Sequence, residues 1–299
     1  MYCADIGGTF LKLAVATSDG TLRPAGRVPT PTQDWSAFLA ALRAFVEDRA
    51  HGQPEGTPLA LSLAGTVDPD THLVQCANIP CLNGRALAPA LQEALSRPVF
   101  IANDADCFAL AEATRGFGQG HRVVFGVIMG SGVGGGLVAE GRLVRGAGGI
   151  AGEWGHAPVS PTHLADGTPV PLFDCGCGLR GCVDSYGSAR GLERLHCALG
   201  AAPAESPAIV EAWQAGDAAA ARSVAAWAEM VSGPMAMAVN LTGASIVPIG
   251  GGLSNAAPLV AALDEAVRAR IMRRTTAPLL VPSRLGEMAG LTGAAMLAG

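Results

Sequence analysis

The stretches YCADIGGTFLKLAVAT (2–17) and VVFGVIMGSGVGGGLVAEGRLV (123–144) decide the fold that this chain of 299 residues is predicted to adopt. Each contains an apolar strand, a glycine-rich turn and a second strand, and in the later stretch an EG turn interrupts the second strand. SDG (18–20) predicts a hairpin turn after the first unit. Because the unit occurs twice, the sequence predicts a duplicated α/β architecture with two related halves.

The rest of the chain alternates between helical and strand patterns. Further strands are expected at 59–65, 98–102 and 245–252, and helices at 36–50, 86–96 and 104–115, within 204–243, and at 254–273 and 286–298. The stretch 157–174 has neither periodicity and is expected to be a long loop. We expect two lobes, one formed by residues 1–118 together with the C-terminal helix 286–299, the other by residues 119–285.

Composition and charge exclude several classes of function. The net charge is −5, and Lys12 is the single lysine, so no basic face for nucleic acid or anionic lipid is expected. The arginines at 268, 270, 273 and 274 fall toward the end of a predicted helix, where cations complement the helix dipole. No apolar run is long enough to span a bilayer, and Asp5 interrupts the first apolar segment, so we expect no signal peptide and a cytoplasmic protein with reduced cysteines.

A candidate metal site lies in GEWGH (152–156) and CGCGLRGC (175–182). One imidazole and three thiols suit a closed tetrahedral zinc site, and the interleaved glycines let neighbouring sulfurs converge. With four protein ligands no position remains for water, so the zinc is expected to be structural. The expected ligands are His156, Cys175, Cys177 and Cys182. The main rival to His156 is His163, followed by His196, Cys197 and Asp174.

Three glycine-rich turns follow apolar strands: DIGGT (5–9), GSGVGGG (130–136) and IGGG (249–252). Glycine lets backbone amides approach phosphate oxygens closely, although a bare tight turn is the alternative for any single one. Three such turns in a duplicated α/β chain favour nucleotide binding. The expected nucleotide and magnesium contacts are Asp5, Gly7, Gly8, Thr9, Gly130, Ser131, Gly132, Gly134, Gly251 and Gly252.

Asn103 and Asp104 follow the predicted strand 98–102 and precede a helix. Either residue could simply cap that helix. The functional alternative is that Asp104 is a general base, because the sites of α/β proteins gather at the carboxyl ends of strands. Glu153, His156, Asp184 and the amide of Asn78 would add hydrogen-bonding groups suited to a polyhydroxylated ligand. Asn78 alone could equally be a turn residue.

DIGGT, NDAD (103–106), GSGVGGG, GEWGH, CGCGLRGC and IGGG occur in the order found in the ROK family of sugar kinases and repressors, which the chain resembles over essentially its whole length. Within that family it is most similar to N-acetyl-D-glucosamine kinases, through VPTP (28–31), ANIP (77–80), NDADCFALAEA (103–113), GVGGGL (132–137) and GLSN (252–255). The resemblance implies a duplicated ribonuclease H-like fold of the actin/hexokinase type, with an active-site cleft between two lobes. It also implies ATP, Mg²⁺ and a homodimer.

Position by position, the resemblance implies that Asp104 is the catalytic base and Asn103 a sugar ligand. Glu153 and His156 resemble the pair that binds the sugar hydroxyls near C1 to C3. Two positions depart from the family pattern: Asp184 stands where a sugar-binding glutamate is usual, and Phe10 where a lysine usually follows DIGGT. The one-methylene shorter side chain of Asp184 puts its sugar contact in question.

The expected function is ATP-dependent phosphorylation of a hexose at its 6-hydroxyl, with N-acetyl-D-glucosamine as the acceptor. Glucokinase, fructokinase and N-acetylmannosamine kinase activities are the alternatives within the family. The alternative of another class is a sugar-responsive repressor. It is disfavoured because no basic helix-turn-helix is found in the sequence. The expected partners are therefore ATP and a small-molecule sugar, with neither nucleic acid nor membrane.

Overall fold

Both strand–turn–strand stretches lie within five-stranded sheets in a computed structural model that describes residues 1–17, 20–48 and 53–298. The first stretch forms β1 (Tyr2–Ile6) and β2 (Phe10–Ala16), paired antiparallel. The second forms β8 (Val123–Met129) and β9 (Val133–Ala139), also antiparallel, and Glu140 and Gly141 turn the chain into β10 (Arg142–Val144). Ser18 and Asp19 of the predicted hairpin lie outside the described residues.

The first sheet has the order β3-β2-β1-β4-β7. Its other strands are β3 (Leu22–Pro29), β4 (Leu59–Leu63) and β7 (Val99–Asn103). Strands β1, β4 and β7 are parallel, so their carboxyl ends share one edge: Leu63 pairs with both Ile6 and Asn103. A small two-stranded sheet, β5 (Thr66–Val67) and β6 (Val74–Gln75), follows β4.

The second sheet repeats this topology with the order β10-β9-β8-β11-β12. Strands β11 (Val247–Gly250) and β12 (Leu280–Pro282) are parallel to β8. In both sheets the first strand in chain order pairs antiparallel with the second and parallel with the fourth, while the third lies at the edge beside the second. This repeat confirms the predicted duplicated α/β fold, which is the ribonuclease H-like fold of the actin/hexokinase type.

Helices fill the connections between strands, and their apolar faces build the cores. Their bounds are α1 (Trp35–Asp48), α2 (Leu87–Leu95), α3 (Asp104–Arg115), α4 (Asp184–Gly187), α5 (Ala189–Ala198), α6 (Ser206–Gln214), α7 (Ala218–Thr242), α8 (Ala257–Arg268) and α9 (Ala289–Ala294). The Asp217 side chain caps α7 through the Ala220 amide at 2.8 Å, and Gly243 ends it in the left-handed region. None of the described helices is both long and apolar enough to cross a membrane.

Two of the predicted helices are shorter than expected. Residues 254–273 were expected to be one helix, but Gly252–Asn255 forms a 3₁₀ turn and α8 ends at Arg268, whose guanidinium pairs with Asp264. Within 286–298, Gly286–Met288 is a 3₁₀ turn and α9 covers six residues. Helix α9 lies against β1 and β4, and a Cβ at Gly290 would stand 2.7 Å from Asp5 Oδ1, so this close approach requires glycine.

Grouped by internal contacts, the chain divides into two compact units. One comprises Met1–Ala111, Leu143–Ala151 and Glu287–Gly299, and the other Glu112–Arg142 and Gly152–Gly286. The first unit contains the sheet β3-β2-β1-β4-β7, and the second contains β8, β9, β11 and β12 of the other sheet. Each unit has its own apolar core, around Phe38 and Leu61 in the first and around Tyr186 and Trp227 in the second. The lobe boundaries inferred from the sequence, 1–118 with 286–299 and 119–285, stay a prediction.

Candidate functional site

Asn103 and Asp104 lie where β7 ends and α3 begins. The Asn103 side chain caps α3, because its Oδ1 accepts from the Ala105 amide at 2.8 Å and the Asp106 amide at 3.3 Å. Its Nδ2 donates to the Gly65 carbonyl at 3.0 Å. Asp104 Oδ1 accepts from the Ala105 amide at 2.9 Å. The capping role considered from the sequence is therefore filled mainly by Asn103, and the half-buried Asp104 carboxylate stands at the edge of the sheet.

The Cys76 thiol belongs to the surroundings of Asp104. It is buried, and burial, followed by the negative charge of Asp104, raises its pKa to about 12. A Cβ at Gly65 would stand 2.5 Å from Cys76 Sγ, so the thiol packs directly on the backbone that holds Asn103. At neutral pH the neighbour of the carboxylate is thus an uncharged thiol.

The turn Gly7–Thr9 shares this edge of the first sheet. Asp5 Oδ1 accepts from Ser62 Oγ at 2.7 Å, and burial raises the pKa of the Asp5 carboxyl, against the opposing effects of Ser62 and Lys12. A Cβ at Gly8 would stand 2.9 Å from Asn78 Cβ, which places Asn78 beside the turn, while Thr9 is exposed. The structure thus gathers Asp5, Gly7, Gly8, Thr9, Asn78, Asn103 and Asp104 in one unit.

In the other unit, the turn after β8 and the turn after β11 lie against each other. A Cβ at Gly251 would stand 2.8 Å from the Gly130 amide nitrogen, and Gly251 has a φ of 84°, so this approach requires glycine. The Gly130 amide donates to the Gly132 carbonyl at 2.9 Å. Among the described residues, the Ser131 and Gly132 amides find no intramolecular acceptor. Gly130, Ser131, Gly132, Gly251 and Gly252 therefore form one backbone cluster, with Gly134 next to it in β9.

Four groups bind the backbone of the turn Gly130–Gly134. Three of them donate to its carbonyl oxygens, and the fourth accepts from the Val133 amide. The Ala189 amide donates to the Gly130 carbonyl at 2.8 Å, and the Arg190 guanidinium donates to the Ser131 carbonyl from Nε at 3.1 Å and Nη2 at 2.9 Å. Trp154 Nε1 donates to the Gly134 carbonyl at 3.2 Å. Asp184 Oδ1 accepts from the Val133 amide at 2.7 Å. The carboxylate of Asp184 thus holds the turn, and its expected sugar contact stays a prediction.

Glu153 and His156 flank a 3₁₀ turn, Trp154–His156, in the same unit. Glu153 Oε2 lies 3.7 Å from His156 Nε2, and the opposite ring nitrogen, Nδ1, lies 3.7 Å from Cys175 Sγ. Burial raises the pKa of the Glu153 carboxyl, with His156 opposing the shift. The imidazole therefore has one nitrogen toward the thiols and the other toward a partly buried carboxylate, an arrangement that can orient a hydroxylated ligand.

The ligand atoms of His156, Cys175, Cys177 and Cys182 all lie within 4.8 Å of one another. Tetrahedral zinc with Zn–S bonds of about 2.3 Å holds its sulfur ligands about 3.8 Å apart. The observed distance between Cys177 Sγ and Cys182 Sγ is 3.7 Å. Burial, followed by the neighbouring Cys177 and Cys175 thiols, raises the pKa of the Cys182 thiol, and a bound cation would favour its thiolate. Donor types and spacing both fit a structural zinc ion.

The rival ligands are placed elsewhere. His163 Nδ1 contacts Thr162 Oγ1 at 3.2 Å, His196 Nδ1 contacts Ser223 Oγ at 2.8 Å, and Asp174 pairs with Arg180 at 2.7 Å. Cys197 is exposed on α5. In the described part of the chain none of the four joins the cluster around His156.

Sequence reasoning missed two groups at these sites, Ser62 and Arg190. Ser62 lies inside a strand and is identified only by its pairing with Asp5 in the parallel register. Arg190 acts on a carbonyl 59 residues earlier in the chain. The one feature of the local sequence that sets Arg190 apart is its positive charge in the first turn of α5, where the helix dipole disfavours a cation.

Comparison with known proteins agrees with this arrangement. The ROK family model matches residues 1–299. The chain belongs to the ROK family. Curated ROK relatives include N-acetylgalactosamine kinase AgaK of Shewanella sp. (strain ANA-3), 38% identical over 99% of this chain and 96% of its own length. Another is N-acetyl-D-glucosamine kinase of Pasteurella multocida (strain Pm70), 34% identical over 99% of this chain and 98% of its own.

A solved ROK structure shares the fold. The crystal structure of a ROK family glucokinase from Streptomyces griseus, in complex with glucose and AMPPNP, matches with a TM-score of 0.78 and 28% identity over 99% of this chain and 98% of its own. The ROK similarity therefore extends along the whole chain, and both units contribute to it.

Proposed function

We propose that this ROK family chain is an ATP-dependent sugar kinase that phosphorylates the 6-hydroxyl of N-acetyl-D-glucosamine. The observation that carries the proposal is the Asp104 carboxylate at the carboxyl edge of a parallel sheet, with Asn103 and not Asp104 as the main helix cap. That edge is where sites of α/β proteins form. The named kinases among the relatives support the same reaction class.

In this mechanism Asp104 accepts the proton of the attacking hydroxyl, which then forms a bond to the γ-phosphorus of ATP while the bond to the ADP oxygen breaks. Asn103 and Asn78 offer amide groups on the same unit as Asp104. Glu153 and His156 bind further sugar hydroxyls, and Asp184 supports them through the turn that it holds. Backbone amides of the glycine turns stabilise the charge on the phosphates.

Two ions complete the proposal. Asp5 and Thr9 supply oxygen donors of the kind that Mg²⁺ prefers, directly or through water, and the ion would neutralise charge on the phosphates. His156, Cys175, Cys177 and Cys182 would hold zinc. Its contribution would be to fix the ring of His156, so that Nε2 faces the sugar side.

The second candidate acceptor is N-acetyl-D-galactosamine. It is favoured by one observation, the 38% identity with the N-acetylgalactosamine kinase of Shewanella. The two sugars differ only in the configuration at C4, and both carry the 6-hydroxyl that Asp104 would deprotonate. N-acetyl-D-glucosamine stays our first choice because ANIP (77–80) and NDADCFALAEA (103–113) resemble its kinases.

An acceptor panel tests the proposal. Coupled ADP release is measured with MgATP and, in turn, N-acetylglucosamine, N-acetylgalactosamine, N-acetylmannosamine, glucose and fructose. We expect the highest kcat/KM with N-acetylglucosamine. A clear preference for N-acetylgalactosamine would replace the substrate and keep the mechanism, whereas the absence of release with every sugar would reject the kinase. A cytoplasmic homodimer is also proposed, and light scattering on a sizing column tests the dimer.

A further inference from the structure

Arg190 is a charged side chain that the mechanism above leaves without a role. It is exposed and lies at the second position of α5, whose cap, Ser188, accepts from the Gly191 amide at 3.1 Å. Its guanidinium donates two hydrogen bonds to the Ser131 carbonyl oxygen, from Nε at 3.1 Å and from Nη2 at 2.9 Å. Two donors on one neutral acceptor fix both the side chain and the turn.

The positive charges of the Arg190 guanidinium and of the N-terminus of α5 favour the binding of an anion at this position. The first turn of a helix carries a positive partial charge, which disfavours a cation. Within the described ranges no carboxylate pairs with Arg190, and its hydrogen-bond acceptor is uncharged. A negative group bound there would interact favourably with both the guanidinium and the helix end.

The neighbouring backbone supplies matching donors. Because Arg190 holds the Ser131 carbonyl and Ala189 holds the Gly130 carbonyl, the peptide units between them are fixed with the amides of Ser131 and Gly132 left for an external acceptor. The Gly251 turn packs against Gly130 and adds the amide of Gly252, whose nitrogen lies 3.9 Å from the position of a Cβ on Gly130. The arrangement is a concave set of backbone donors with one guanidinium at its rim.

We propose that Arg190 is a nucleotide-binding and positioning residue: it fixes the Ser131–Gly132 amides toward the phosphates of ATP and contributes its own charge to them. This inference rests on the proposed kinase function and names a contact that the motifs did not include. It adds one guanidinium to the backbone amides and the magnesium ion that the proposed mechanism assigns to the phosphates.

The test compares three variants by calorimetric binding of the ATP analogue AMPPNP with Mg²⁺, in the zinc-loaded full chain. Arg190→Ala removes both the hydrogen bonds to the Ser131 carbonyl and the positive charge, and we expect the Kd for AMPPNP to rise about 10- to 100-fold. Arg190→Lys keeps the charge and loses the two-donor contact, so its Kd should be intermediate. Arg194→Ala is the matched control, because it removes the same charge one turn further along α5, where Arg194 stacks on Phe173.

Two further readings separate a nucleotide role from a structural one. The Kd for N-acetylglucosamine should stay within about twofold of wild type in each folded variant, and the KM for ATP should rise more than kcat falls. An unchanged Kd for AMPPNP in Arg190→Ala would overturn the proposal, as would an equal loss of sugar and nucleotide affinity. If Arg190→Ala does not fold, the same criteria apply to Arg190→Lys. Failure of the wild type to phosphorylate any sugar would reject the kinase function alone, because AMPPNP binding is measured without turnover.

Discussion

At the scale of single residues, Asn103 and Asp104 at the end of β7 have different roles. The sequence alone could not say which of the two caps helix α3. The Asn103 side chain uses its carbonyl oxygen on the amides of α3 and its amide on Gly65, so it fixes the geometry of the strand end. Asp104 makes a 2.9 Å contact with the Ala105 amide, next to the protonated Cys76 thiol. Asn103 thus has a clear capping role, and the proposed role of the Asp104 carboxylate is to accept the proton of the sugar hydroxyl.

Asp104→Asn is the first test at this scale. The amide keeps the size and the contact with Ala105 but cannot accept a proton, so we expect kcat to fall about 10²- to 10⁴-fold while the Kd for the sugar stays near the wild-type value. Steady-state kinetics and calorimetry measure the two quantities. Asp34→Asn is the matched control, because Asp34 also accepts from amides at a helix start, at 2.7 and 3.3 Å, far from the site in sequence. Near-normal turnover by folded Asp104→Asn would reject the assignment.

Cys76 gives a prediction for pH dependence. Burial raises its pKa from 9.0 to about 12, so the folded state holds the thiol proton more tightly than the unfolded state. The resulting stability is fully present below about pH 9 and is lost as the pH rises toward 12. We therefore expect the difference in Tm between wild type and Cys76→Ala to shrink from pH 8 to pH 11. An unchanged difference across this range would show that Cys76 is not shielded as described.

At the scale of elements, the sequence predicted β1, β2, β4, β7 to β11 and the glycine turns, because their patterns are local, but it gave no range for β3, β5, β6 or β12. Helix α3 begins and ends where it was expected, at Asp104 and Arg115, with apolar residues and acidic first-turn residues in the right places. Helices α8 and α9 are shorter than expected. Arg268, the last residue of α8, donates from Nη1 to the Thr275 carbonyl beyond the helix at 3.4 Å, and Gly290 and Gly293 of α9 pack directly on Asp5 and on the Cys107 carbonyl. The spacing of apolar residues along the sequence does not reveal these contacts.

The cysteine cluster also could be predicted only in part from the sequence. The spacing of Cys175, Cys177 and Cys182 predicts a metal site, because short loops bring neighbouring sulfurs together. The choice of His156 over His163 depends on how the loop 157–174 folds back, with Pro158 bridging to Cys182 and His163 to Pro169. Arg190 lies beyond sequence reasoning altogether, since its acceptor is 59 residues away.

Removing the zinc tests this element. Chelation, or Cys177→Ser, should lower the Tm and raise the Kd for N-acetylglucosamine several-fold, because His156 loses its anchor on Nδ1. Cys197→Ser is the control, since Cys197 is an exposed cysteine outside the cluster. Zinc content by mass spectrometry accompanies both measurements. Metal-free protein with an unchanged sugar affinity would show that the cluster does not orient the substrate.

At the scale of the whole molecule, the repeated sheet topology explains where the chemistry lies. In each unit the strand–turn–strand motif places a glycine turn at the edge where the parallel strands have their carboxyl ends. Gly7–Thr9 follows β1 on the edge where β7 ends at Asn103, and Gly130–Gly132 lies next to Gly251. Two related halves thus offer two related edges. Asp5 and Asp104 belong to the first unit, and Glu153, Asp184, the metal cluster and Arg190 belong to the second. The chain has one lysine, and the groups that we propose for binding the phosphates are backbone amides, Mg²⁺ and Arg190.

The central claim is that this chain transfers the γ-phosphoryl group of ATP to the 6-hydroxyl of N-acetyl-D-glucosamine. The most direct test is to incubate zinc-loaded wild type with MgATP and this sugar, to quantify ADP, and to locate the phosphate on the product by ³¹P–¹H NMR. We predict one equivalent of N-acetylglucosamine 6-phosphate for each ADP released. A folded protein that yields no phosphosugar, that releases ADP without one, or that places the phosphate on another oxygen would contradict the account.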